Sequence, residues 1–107
     1  MIITTTNTVP GHEIAEYKGL ATGEVVAGVN LIKDLGAGLK NIFGGRSSGY
    51  EGEIIEARNK VIEKVKRSAE ELGADAVVGL KLDVESKDAH SGGMIFVTAI
   101  GTAVKLK

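Results

Sequence analysis

The sequence predicts one α+β domain, a small antiparallel-rich sheet carrying one long helix and meeting other copies of itself through the sheet. Three observations predict it. A chain of 107 residues is the size of one domain spanning 1–107. Apolar residues recur every 3.6 positions between Tyr50 and Leu72, and the stretches on either side are extended in character.

The elements follow in chain order. Ile2 to Thr5 is short and β-branched and ends near Pro10-Gly11, a turn-forming pair, so a short first strand is expected. Glu13 to Val29 reads as a long strand whose glycines at 19, 23 and 28 predict a bend, bulge or split. Leu31, Ile32, Leu35, Leu39, Ile42 and Phe43 fall at helical spacing, although Gly36 and Gly38 each cost about 1 kcal/mol against alanine. Gly44 to Gly49 reads as a turn. Between Tyr50 and Leu72 the stripe is Ile54, Ala57, Val61, Ile62, Val65, Ala69 and Leu72. Glu51, Glu53 and Glu56 lie in the first turns, Lys64, Lys66 and Arg67 toward the end, and Gly73 stands at the C-terminal cap. Asp75 to Glu85 alternates, with Ala76, Val78, Leu80, Leu82 and Val84 expected on one face and Lys81, Asp83 and Glu85 on the other. After a turn-like 87–93, Met94 to Leu106 is apolar at both parities and reads as buried on both faces. One helix covers one face of such a sheet. The other is expected to be covered by a second copy of the chain, or, in a monomer, by residues 31–43 folding back.

Composition removes whole classes of function. With 13 basic and 14 acidic residues the net charge is -1, so the bulk attraction behind sequence-independent binding to nucleic acid or anionic lipid is missing. Neither nucleic acid nor a membrane is expected as a partner. No cysteine means no disulfide, zinc–thiolate site, iron–sulfur cluster or thiol nucleophile. The start, Met1 to Thr6, shows no basic stretch or long apolar run of a secretory signal, and a cytoplasmic location is expected.

Few residues are arranged for chemistry. Gly36, Gly38, Gly44 and Gly45 do not form a phosphate loop: no G-x-x-x-x-G-K-[ST] occurs, Asn41 stands where G-x-G-x-x-G needs glycine, and Glu51 and Glu53 open the next helix. Arg58, on or beside the apolar stripe, needs a partner, structural or as an anion-binding group in an oligomeric cavity. Asp83 and Glu85 put two carboxylates about 7 Å apart on one side of a strand. With Asp88 and His90 in the adjoining loop they are the candidate metal ligands, against the plainer reading of a solvated strand edge. No serine is placed beside His12 or His90, so catalysis is not expected, and no organic cofactor is implied.

Six pieces in order, the Thr4-Thr5-Thr6 start, Gly44-Gly45-Arg46-Ser47, Tyr50-Glu51, Ala57-Arg58, Leu72-Gly73-Ala74-Asp75-Ala76-Val77-Val78 and Gly101-Thr102-Ala103-Val104, resemble the YbjQ-like family of small proteins, often labelled heavy-metal-binding. The resemblance spans nearly the whole chain. It implies a subunit related to the dodecin-like fold, assembled as a homopentamer through its sheets and added short strands. It also implies that Arg46, Tyr50 and Arg58 act together as a cluster, which makes them the candidate ligand-binding residues. A soft metal wants thiolates, and this chain has none.

Overall fold

The computed structural model describes the backbone of residues 1–28, 49–87 and 94–107, with side chains over 1–27, 52–86 and 94–107. The segment 31–43, the turn at 44–48 and the loop at 88–93, with Arg46, Asp88 and His90, lie outside the described residues. Four strands, β1 (Ile2–Ile3), β2 (Ile14–Gly28), β3 (Ala76–Lys87) and β4 (Met94–Leu106), and one helix, α1 (Gly49–Glu71), make an α+β fold. The sheet order is β1-β3-β4-β2, with β1 parallel to β3 and the other pairings antiparallel.

Helix α1 ends as its sequence dictates. Gly73 takes a positive φ, its N–H donates to Glu70 O, and the Ala74 N–H reaches back to Ala69 O, the two bonds of a Schellman cap. Ala57, Val61, Val65 and Ala69 are buried against Ala21, Val77, Ile95, Val97, Ala99 and Ala103. The helix crosses β2 at backbone contact. A Cβ on Gly23 would stand 2.7 Å from the Val61 carbonyl oxygen, closer than any side chain tolerates.

Strand β2 runs unbroken, with register shifts between Ile14 and Glu16 and between Tyr17 and Gly19; of its glycines Gly19 stands at a shift, while Gly23 and Gly28 pair regularly. In β3 the expected single alternation is corrected. A bulge between Val78 and Lys81, with Gly79 at φ 62, switches the strand's faces. Ala76 and Val78 therefore pack with Val9 and Val104 under the N-terminal loop, whereas Leu80 joins the helix-side core with Leu82 packed against it. The loop is pinned to this bulge, since Thr6 O accepts from Gly79 N–H and Thr4 O from Leu80 N–H.

The ends of β3 and β4 are tied at Asp75. Its N–H donates to Val104 O at 2.8 Å, and its carboxylate accepts the Leu106 N–H at 2.9 Å and faces Lys105 Nζ at 3.4 Å. The Leu106 N–H, with help from Lys105 and against some desolvation, holds the Asp75 carboxyl below its ordinary value of 3.8. A carboxyl lowered on folding stabilises the native state above the unfolded value and loses that contribution as pH falls through the folded one. Asp75→Asn is expected to lower the melting temperature at pH 7, with the gap from the wild type closing as the pH falls below 3.8.

Packing at Gly23 predicts a contrast within the helix–sheet unit. Gly23→Ala should destabilise by about 1–3 kcal/mol, because β2 must back away from α1. Gly52→Ala, where nothing lies within 4 Å of the added carbon, should stabilise by about 0.5–1 kcal/mol. Urea unfolding measures both.

Candidate functional site

The sheet face away from α1 is only partly covered. The N-terminal loop lies over its lower end, where Val9 is buried on Ala76, Val78 and Val104. At that end Tyr17, beside Val104, is 71% exposed, and beyond it Leu20 is 65%, Val26 47% and Ile100 44% exposed. The register puts Leu20 beside Thr102, Thr22 beside Ile100 and Val26 beside Phe96, so these side chains form one surface. The expectation that β4 is buried on both faces is corrected within the single chain. Residues 95, 97, 99, 101 and 103 are buried beneath α1, while Thr98 and Ile100 face outward.

A shallow depression of about 680 Å³ lies on this face, lined by Thr22, Glu24, Lys81, Asp83, Thr98 and Ile100 among others. Glu24 and Asp83 both sit beside Thr98, one on each flanking strand, and Lys81 sits beside Ile100. The polar lining comprises two acids, one base and two hydroxyls. This depression suits a small polar or cationic guest better than an anion.

Among the described residues the candidates do not gather at one place. Asp83 and Glu85 lie exposed on the bare face, as their alternation predicted. Tyr50 belongs to the first turn of α1, on the other side of the sheet. Arg58 is exposed on α1, and no described residue pairs with it. At 100° per residue Arg58 stands about 60° from Val61, far enough off the buried line to reach water. The residues that sequence reasoning missed are Thr22, Glu24, Lys81 and Thr98, which only the strand register brings together.

Among the described residues no three His, Asp or Glu side chains converge, and the chain has no thiol. Asp83 and Glu85 are hard oxygen donors, suited to a cation such as magnesium, calcium or manganese and not to a soft metal. No described helix is long and apolar enough to cross a membrane.

Both edges of the sheet bear on what can dock. The outer edge of β2 is closed at its centre by the helix: the Thr22 N–H donates to Ser68 Oγ at 3.2 Å, and Lys64 Nζ donates to Glu24 O at 3.0 Å. These are the bonds a neighbouring strand would otherwise make. Ser68→Ala should free the Thr22 amide and speed its hydrogen exchange about tenfold, at a cost of about 1 kcal/mol in stability.

A family model described as "Putative heavy-metal-binding", the YbjQ model, matches residues 1–107. A UPF0145 protein of Clostridium botulinum is 56% identical over 97% of this chain and 97% of its own length. Relatives bearing the same description from Bifidobacterium longum subsp. infantis, at 54% over 99% and 96%, and Acetivibrio thermocellus, at 51% over the whole of both chains, are similar throughout. A crystal structure from Pediococcus pentosaceus, described as a protein of unknown function in the DUF74 family, superposes with a TM-score of 0.62. It covers 100% of this chain and 98% of that one at 20% identity, a likeness of fold.

Proposed function

The chain belongs to the YbjQ-like family, and on that footing we propose that it is a cytoplasmic homo-oligomer that binds a small polar ligand or ion where subunits meet, without catalysing a reaction. One observation carries the reading. A sheet face exposing Tyr17, Leu20, Val26 and Ile100 beside a polar depression is costly to leave in water, and a second copy removes it while closing the depression. The pentamer implied by the resemblance is the copy number to expect.

The guest that suits this lining is a hard divalent cation or a polar metabolite. Asp83 and Glu24 would supply carboxylates, Thr22 and Thr98 hydroxyls, and a neighbouring subunit the remaining ligands. A soft heavy metal does not suit it. Arg46, Tyr50 and Arg58, grouped by the family resemblance, would serve assembly.

The sparse donor set favours a second reading, a scaffold that assembles and holds no small ligand. Native mass spectrometry of untagged protein separates the readings: an oligomer with a reproducible added mass supports binding, an oligomer at bare mass supports the scaffold, and a single-chain mass overturns both. Ile100→Glu should dissociate the copies without unfolding the chain, because Ile100 faces outward in each. Manganese should raise the melting temperature of a binding protein by several degrees and leave that of a scaffold unchanged.

A further inference from the structure

We propose that the bare sheet face is covered by helix α1 of the next copy in a closed ring, with Arg58 of the partner subunit seated in the depression between Glu24 and Asp83. This rests on the assembly that both readings above share and names its second surface. At 100° per residue Ile55, Arg58, Ile62 and Lys66 lie between about 60° and 140° from Val61, on one flank of the helix. Lys64 and Ser68 lie on the other side of Val61 and reach β2, so this flank turns toward β3. Ile55 is 48% exposed on it, and Val84, which opposes Val97 on the helix side of β3, is 41% exposed below it. Among the described residues neither Arg58 nor Lys66 has an ion partner, and neither do Glu24, Asp83 and Glu85 on the bare face.

The two surfaces repeat the same order. On the bare face Ile100, Thr98 and Phe96 follow along β4 in steps of about 7 Å. The register sets Glu24 and Asp83 on either side of Thr98, and Val26 and Glu85 on either side of Phe96. Along α1, Ile55, Arg58 and Ile62 follow in steps of about 4.5 and 6 Å, so an apolar, basic, apolar series meets an apolar, acidic, apolar one. A guanidinium brings a planar fork of N–H donors, and the depression offers it two carboxylates and the hydroxyls of Thr22 and Thr98. Charge also sets the direction. With the partner's Ile55 on Ile100, the partner's Ile62 meets Phe96 and the partner's Lys66 reaches Glu85. The reverse direction carries the partner's Lys66 past Lys81, base on base.

The helix also limits the size of the ring. The flank stands about 85–105° around α1 from the line of Ala57, Val61, Val65 and Ala69 that is buried on its own sheet. Each copy is then turned by about 75–95° from the next, and the ring closes at about four or five copies, a range that holds the expected pentamer. Every contact joins two different surfaces, so the ring needs no two-fold axis and no even number of members. In this arrangement the cationic guest of the depression is the chain's own, and an added metal ion has to displace Arg58 to reach the two carboxylates.

Engineered cysteines test the contact in a chain that has none of its own. Oxidation of Ile55→Cys/Ile100→Cys should link chains into a ladder that ends at the closed ring on a non-reducing gel, and neither substitution alone should link them. Linking by Ile100→Cys alone means that two sheet faces meet about a two-fold axis; it overturns the helix-flank contact and leaves the sheet-face reading standing. A double-cysteine variant that assembles without linking overturns the contact as well. Light scattering coupled to size-exclusion chromatography tests the seat of Arg58, with circular dichroism confirming an unchanged fold at this exposed position. Arg58→Glu should weaken assembly about a hundredfold, and Arg58→Glu/Asp83→Arg should recover most of it. Arg67→Glu, the same change at an exposed position on the other flank, should leave assembly intact. An Arg58→Glu variant that assembles as the wild type does, an equal loss in Arg67→Glu, or a double variant that stays dissociated overturns the seat of Arg58. A single-chain wild type overturns the sheet-face reading with it.

Discussion

Helix α1 meets the sheet at Gly23 with no side chain between the two backbones, and the rest of the architecture depends on that contact. A helix held so close cannot slide along the sheet. It is fixed over β2 and β4, where Ala21, Val97 and Ala99 receive Val61 and Val65, and it barely reaches β3. The same closeness brings Ser68 and Lys64 over the rim of β2 to bond its outward backbone groups. One steric constraint thus decides which edge the helix closes and which face of the sheet it covers.

Much of this was legible in the sequence, and the reasons differ by element. The helix could be read from Ile54 to Leu72 because its apolar period, acidic first turns and Gly73 cap agree with one another. Charge agreement stops one turn short, since Glu70 and Glu71, and no base, occupy the last turn. The shortage of cover for the sheet was legible from simple proportion, one long helix against a strand apolar at both parities.

The rest was hidden because it depends on pairing. An unbroken alternation from Ala76 to Val84 looks like one face, yet Gly79 lets the chain gain a residue against β4 and changes sides midway. A glycine inside a strand pattern was the available signal. The depression could not be read at all, because Thr22, Lys81 and Thr98 are distant in the chain and meet only through register. Arg58 was legible as a residue at the margin of the stripe, where a long side chain takes the water side of its own chain.

Strand β4 is central in the sheet and last in the chain, with β2 and β3 paired to its two sides. Until β4 is made, β2 has no described strand beside it and β3 has only the two residues of β1. β1 waits more than seventy residues for β3. Among the described strands the local pairing is that of β3 with β4, neighbours in the chain, whereas β1 and β2 pair only with strands far along it. A chain without Met94 to Leu106 therefore lacks both of the long strand pairings from which this sheet is built.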